Sequence, residues 1–255
     1  MQAGFAMLCA GSIRAKNCKN VLLWNLLDSC GGAIGFWSVG YAFAYGGDTP
    51  TGTTFIGNTN FFLVDGTDLH LWFFQFAFAC ALSSIVAGTV AERCKMQAYL
   101  CYSVFLCGFV YPVVAHAFWS TNGWLSNSNS NPFLGSGAID LAGSGPVHMT
   151  GGVVALVMAL IIGPRMGRFY AEDGTPLEEP RQFAGHNVTL QVGFHALNAI
   201  RGPKYILGYD KGSHSIFPFL ILYIFLIYIL QHTSSSSGLS AYGLAGMAST
   251  LGQLL

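Results

Sequence analysis

Two ionisable side chains occupy the apolar stretch GSGAIDLAGSGPVHMTGGVVALVMALIIG: Asp140, and His148 two turns further on. In hydrocarbon each costs a few kcal/mol unless paired or hydrated, which makes such residues candidates for function first. Asp140 is followed by LAGSG, where its carboxylate can cap free backbone N–H groups at a helix start or meet a cation directly. His148 has no helix end to cap at its depth. A neutral imidazole donates one hydrogen bond and accepts one, which suits either lining a polar path or joining two helices.

Aromatic residues gather nearby in the chain. Trp119 closes an apolar run, where an interfacial belt would place a tryptophan in any case. Phe73, Phe74, Phe76 and Phe78 crowd a second run, and the spacing sets Phe74 and Phe78 on one helical face, as core or lipid-facing side chains. Asp28 follows Asn25 by about one turn and is expected to find a partner inside the bundle. Gly31, Gly32, Gly35, Gly151 and Gly152 permit close helix packing. The seven cysteines form no CxxC pattern, and those in apolar runs read as small hydrophobes. Asn187-Val188-Thr189 matches the glycosylation pattern, but it follows a basic connection and reads as a chance match.

The elements that position these residues are membrane spans. Of 255 residues, 53% are hydrophobic and 9% charged, too few charges to cover a water-exposed surface. A formal net charge of zero leaves no field for nucleic acid. No nucleophile with its base, metal-ligand cluster, phosphate loop or cofactor motif is present, so an enzyme is not expected. Residues 20–45, 69–91, 96–119 and 138–163 each suffice for a span, and 1–13 reads as a fifth, incomplete one. Only helices satisfy the backbone in runs this long, which gives an all-α, polytopic membrane protein. The basic connections 14–19, 92–95 and 164–181 alternate with 46–68, charged only by aspartates, and with the uncharged 120–137. By the positive-inside rule the basic three face the cytoplasm. The span from Ala138 then enters from outside. On a regular helix, His148 lies roughly 12 Å deeper than Asp140.

Taken in order, GFAMLCAGSIRAKN (4–17), GYAFAYG (40–46), FFQFAFAC through AGTVAER (73–93), GFVYPVVAHAFWSTNGW (108–124) and AIDLAGSGPVHMTGG through IIGPRMGRF (138–169) resemble the family of ammonium transporters, methylammonium permeases and Rhesus proteins. The plant-type ammonium transporters are the most similar. The resemblance implies an eleven-helix inverted-repeat fold, of which this chain matches the first half. It also implies a trimer with one pore per subunit, ammonium or ammonia as substrate, and the lipid bilayer, as plasma membrane, for surroundings. Trp119 and Phe78 match the aromatics of the outer recruitment site, and Phe74 and Phe78 match part of a phenylalanine gate. Asp140 matches the acid that shapes the recruitment site from behind, with the Ala142 carbonyl close to the cation. His148 matches the first of two pore histidines. Neutral ammonia with a separately handled proton would avoid much of the charge penalty of an apolar constriction.

Residues 1–192 are expected to form this partial transporter domain, with a sixth span starting near 185. The remainder, 193–255, departs from the pattern. It mixes charges with glycine and proline, carries one apolar segment at 216–230, and ends in a serine-rich stretch. The residues support two readings of function. One is transport of ammonium or ammonia through an outer aromatic site and a histidine-containing pore. The other is a non-transporting half-protein that associates with full-length trimer subunits and alters them.

Overall fold

The computed structural model describes residues 2–47, 52–64, 68–140, 142–171, 173–181, 183 and 187–191. The tail 193–255, with its apolar segment 216–230, lies outside the described residues.

Every regular element among the described residues is helical. The α-helices are α1 (Gln2–Ser12), α2 (Cys18–Gly35), α3 (Tyr41–Tyr45), α4 (Leu69–Val90), α5 (Met96–Phe105), α6 (Tyr111–Trp119) and α7 (Thr150–Ile162). Apolar sequence and internally bonded backbone go together here, since hydrocarbon offers the chain no hydrogen-bond partners. Among the described residues three helical stretches are long and apolar enough to cross a membrane: Leu69–Val90, Met96–Trp119 and Ser144–Ile162. The stretch from Cys18 to Tyr45 is helical throughout but is not one of these three, its apolar content being diluted by Asn20, Asn25, Asp28, Ser29 and Ser38. Side chains such as Leu26, Ile34, Phe73 and Leu160 are exposed, as expected of helices whose solvent is lipid.

Three π-helical turns interrupt the α-helices: Phe36–Gly40 joins α2 to α3, Leu106–Val110 joins α5 to α6, and Ser144–Met149 leads into α7. Each inserts a residue into the α register and re-aims the side chains beyond it. Residues 138–140, 142 and 143, expected within a regular span, are not helical, so the α-helical rise does not apply between Asp140 and the π turn.

Contacts group the chain into two units. One takes in Met1–Leu26, Ser84–Tyr99 and the described part of Gly151–Leu255; the other takes in Leu27–Ser83 and Leu100–Thr150. In the first unit a single carboxylate joins three connections. The Glu92 side chain, 1% exposed, accepts from the Arg14 backbone N–H at 3.3 Å and from Arg14 Nε at 3.0 Å. It also accepts from Asn17 Nδ2, and its Oε2 pairs with Arg165 Nη1 at 3.2 Å. Burial alone would raise the Glu92 pKa. The hydrogen bonds from Asn17 and Arg14 and the charges of Arg165 and Arg14 outweigh it and hold the pKa below the usual value.

In the second unit the Phe36–Gly40 and Leu106–Val110 turns pack against each other through glycine. A Cβ at Gly40 would lie 2.5 Å from the Cys107 carbonyl oxygen, and one at Gly35 would lie 2.7 Å from that of Val104. Backbones this close admit no side chain. Asp28, 1% exposed, accepts a hydrogen bond from the Ser83 hydroxyl, and its carbonyl accepts one from Ser103 at 3.1 Å. Its partners are therefore inside the bundle. His116, fully buried, bridges the Ala44 carbonyl at 2.9 Å and the Thr54 hydroxyl at 2.8 Å, fastening the 46–60 connection to α6.

Candidate functional site

The site lies in the second unit and is organised by Asp140. The chain turns sharply after it, with Ala142 at φ 57° and Gly143 at φ 80°. That turn folds the next N–H groups back onto the carboxylate. Oδ2 accepts from Gly143 N at 2.8 Å, and Oδ1 from Gly145 N at 2.8 Å and the Ser144 hydroxyl at 3.1 Å. The remaining donor is remote in sequence: Trp119 Nε1 gives its hydrogen to Oδ2 at 3.1 Å. Asp140 thus caps the Ser144–Met149 turn, whose first N–H groups have no intrahelical partner. Capping, one of its two expected roles, is what its geometry shows.

Trp119 is the last residue of α6, its ring held at one edge by the carboxylate. The ring of Phe78 meets it at 5.3 Å with an interplanar angle of 67°, and Phe74 meets Phe78 at 5.1 Å and 82°. One helical turn separates the two phenylalanines on α4, so a row runs Phe74, Phe78, Trp119, Asp140. The loop closes on this row as well, since a Cβ at Gly143 would lie 3.6 Å from Phe78 Cδ1. Ala142 is exposed, and its carbonyl receives no hydrogen bond from the described residues. Half-buried aromatic rings, an unclaimed carbonyl and a carboxylate behind them together suit a small cation.

His148 sits on the turn that Asp140 caps, its backbone N–H bonded to the Gly143 carbonyl at 3.0 Å. Its Nδ1 is buried without a hydrogen-bond partner among the described residues. No bond joins it to the aromatic row there. Pro146, two residues earlier, is buried in the first turn of this π segment, where its missing N–H costs no hydrogen bond. Among the described residues no group of three His, Cys, Asp or Glu is placed to hold a metal ion.

Two residues that spacing did not single out also belong to this neighbourhood. Tyr111, fully buried, places its ring 6.4 Å from that of Trp119, and its hydroxyl donates to Gln75 Oε1 at 3.3 Å. The signal available in the sequence was Gln75 itself, the lone amide in the run FFQFAF.

The sequence model of the Ammonium Transporter Family matches residues 1–198. Ammonium transporter 1 member 3 of Solanum lycopersicum is 47% identical over 196 residues, covering 75% of this chain and 41% of its own length. Ammonium transporter 1 member 1 of Oryza sativa subsp. japonica is 55% identical over 193 residues, covering 73% and 37%. The crystal structure of a point mutant of Candida albicans Mep2 superposes with a TM-score of 0.66 at 21% identity, covering 98% of this chain and 56% of that one. This last likeness concerns the fold. The chain spans about two fifths of the length of the curated relatives it matches.

Proposed function

The chain belongs to the Ammonium Transporter Family, and from that premise we propose that it moves ammonium or ammonia across a membrane, gathering the cation at Trp119 and Phe78. The observation that carries this reading is the row Phe74, Phe78, Trp119, Asp140, held by one hydrogen bond and two edge-on ring contacts. A cation at the ring faces gains from their quadrupoles and from the Asp140 field, without breaking the bonds that occupy the carboxylate. The Ala142 carbonyl is the hydrogen-bond acceptor for an N–H of the bound cation. Phe74 and Phe78 narrow the way inward, so the cation would pass its proton to water at the outer mouth and continue as ammonia. His148 Nδ1 is a hydrogen-bonding group for that deeper path.

The same reading puts 14–19, 92–95 and 164–181 on the cytoplasmic side of a plasma membrane. The convergence of Arg14, Glu92 and Arg165 supports one common side for the three connections. Residues 1–192 would serve as the transporter portion, in a trimer of identical chains or in association with longer relatives.

Uptake by cells that lack their own ammonium uptake tests the proposal. The chain should confer saturable ammonium uptake, and Trp119→Ala should raise the half-saturating concentration about tenfold, the equivalent of one partly desolvated cation–π contact. Uptake with an unchanged concentration dependence in Trp119→Ala would remove the outer site. No uptake by the chain would favour the second reading, a half-protein acting on longer relatives, to which the buried and unbonded His148 Nδ1 lends support.

A further inference from the structure

We propose that Gln75 and Tyr111 are positioning residues for Trp119, forming a buried hydrogen-bonded brace that fixes the ring where it meets Phe78. The inference rests on the reading of Trp119 as the outer site and names what sets its geometry.

The Trp119 ring is held on three sides. Asp140 takes its N–H at 3.1 Å, Phe78 packs edge-on at 5.3 Å, and Tyr111 stands at 6.4 Å and 73°. Only the first of these is directional. A ring contact alone leaves the indole free to pivot about its Asp140 bond, so whatever immobilises Tyr111 also limits that pivot. Two things do so. The Tyr111 ring packs 6.0 Å from the fully buried ring of Phe36, and its hydroxyl bonds Gln75 Oε1.

Gln75 lies on α4 between the two phenylalanines of the row, one residue after Phe74 and three before Phe78. Its bond to Tyr111 therefore joins the helix that carries Phe74 and Phe78 to the helix that carries Trp119, beside the place where the rings meet. Tyr111 is also the first residue of α6 after the π turn Leu106–Val110. The extra residue of that turn sets the rotation of Tyr111, and of Trp119 behind it, relative to α5. In an apolar interior this hydrogen bond has no water to compete with it, and losing one partner strands the other.

The test uses tryptophan fluorescence of the purified chain in lipid nanodiscs, with the signal of Trp119 taken as the difference from the same chain carrying Trp119→Phe. Tyr111→Phe, which removes one oxygen, and Gln75→Met should each raise the acrylamide quenching of Trp119. Each should also raise the half-saturating ammonium chloride concentration for its fluorescence change by about two- to tenfold, the factor of one net hydrogen bond. Gln75→Glu, which keeps the acceptor, should restore protection from quenching. Wild-type quenching of Trp119 in both Tyr111→Phe and Gln75→Met would overturn the brace. A wild-type Trp119 signal that ignores ammonium chloride would instead overturn the outer-site reading, while the quenching comparison would still decide the brace. If Gln75→Met loses its helical circular dichroism, Tyr111→Phe alone decides.

Discussion

Both oxygens of Asp140 are taken by donors, three from its own turn and one from Trp119. Its charge therefore does two things at once: it closes the turn that begins the π segment and orients the indole. Asp140→Asn would turn one acceptor oxygen into an N–H donor facing either the loop amides or Trp119. The expected loss is about 2–3 kcal/mol, that of stranding one charge-assisted hydrogen bond, read as a lower thermal midpoint in detergent together with a shifted Trp119 emission. An unchanged midpoint would mean that the turn closes without the carboxylate. The choice of Asp140 and His148 was legible because ionisable groups in hydrocarbon are costly, and the capping role was legible because glycine and serine come after the acid. The Tyr111–Gln75 bond was not legible. Its partners are 36 residues apart on different helices, and no periodicity within one helix encodes a contact between two.

At the scale of elements, helix type followed from long apolar runs, whereas the π turns at Phe36–Gly40, Leu106–Val110 and Ser144–Met149 left no mark in hydropathy. One inserted residue rotates the next stretch of helix by a fraction of a turn without changing the apolar content. The connections were legible only as basic segments; that three of them meet at Glu92 depends on tertiary placement. Glu92 also sits at φ 63°, a left-handed conformation that is uncommon for a side chain of its size and that its hydrogen bonds help to hold. Its pKa is lowered in the fold by Asn17, Arg14 and Arg165 against the pull of burial. The ionised group therefore stabilises the fold above the unfolded carboxylate value, near about pH 4.3, and that contribution is lost as pH falls through the lowered folded value. Thermal midpoints in detergent should owe no pH dependence to this group between about pH 7 and 5 and should drop below about pH 4. Glu92→Gln should be less stable than wild type at neutral pH by about 2 kcal/mol, because Arg14 and Arg165 lose the charge of a buried partner. The deficit should shrink in acid, and a deficit independent of pH would show that the charge of Glu92 is not what joins the connections.

For the whole molecule, family membership and the all-helical class were both legible, because the motifs of residues 4–169 occur in order and the charge-poor composition leaves no soluble alternative. What one chain accomplishes is a separate matter from its ancestry. The described residues supply Phe74, Phe78, Trp119, Asp140 and a His148 whose Nδ1 is buried and unbonded among them, while the chain spans about two fifths of the length of its curated relatives. A buried imidazole nitrogen gains from a hydrogen-bonding partner, and a longer family member could supply one by associating with this chain. The two proposed functions therefore differ in what happens when the chain meets such a relative. Co-expressed with a plant ammonium transporter at increasing ratio, a chain that transports by itself should add its uptake to that of the relative. A chain that associates with its relative without completing a pore should instead lower uptake in proportion to the mixed assemblies formed. Pull-down of the relative through an affinity tag on this chain would link that loss to association. Additive uptake with no co-purification would rule out the associating half-protein, and suppression with co-purification and no uptake alone would rule out independent transport.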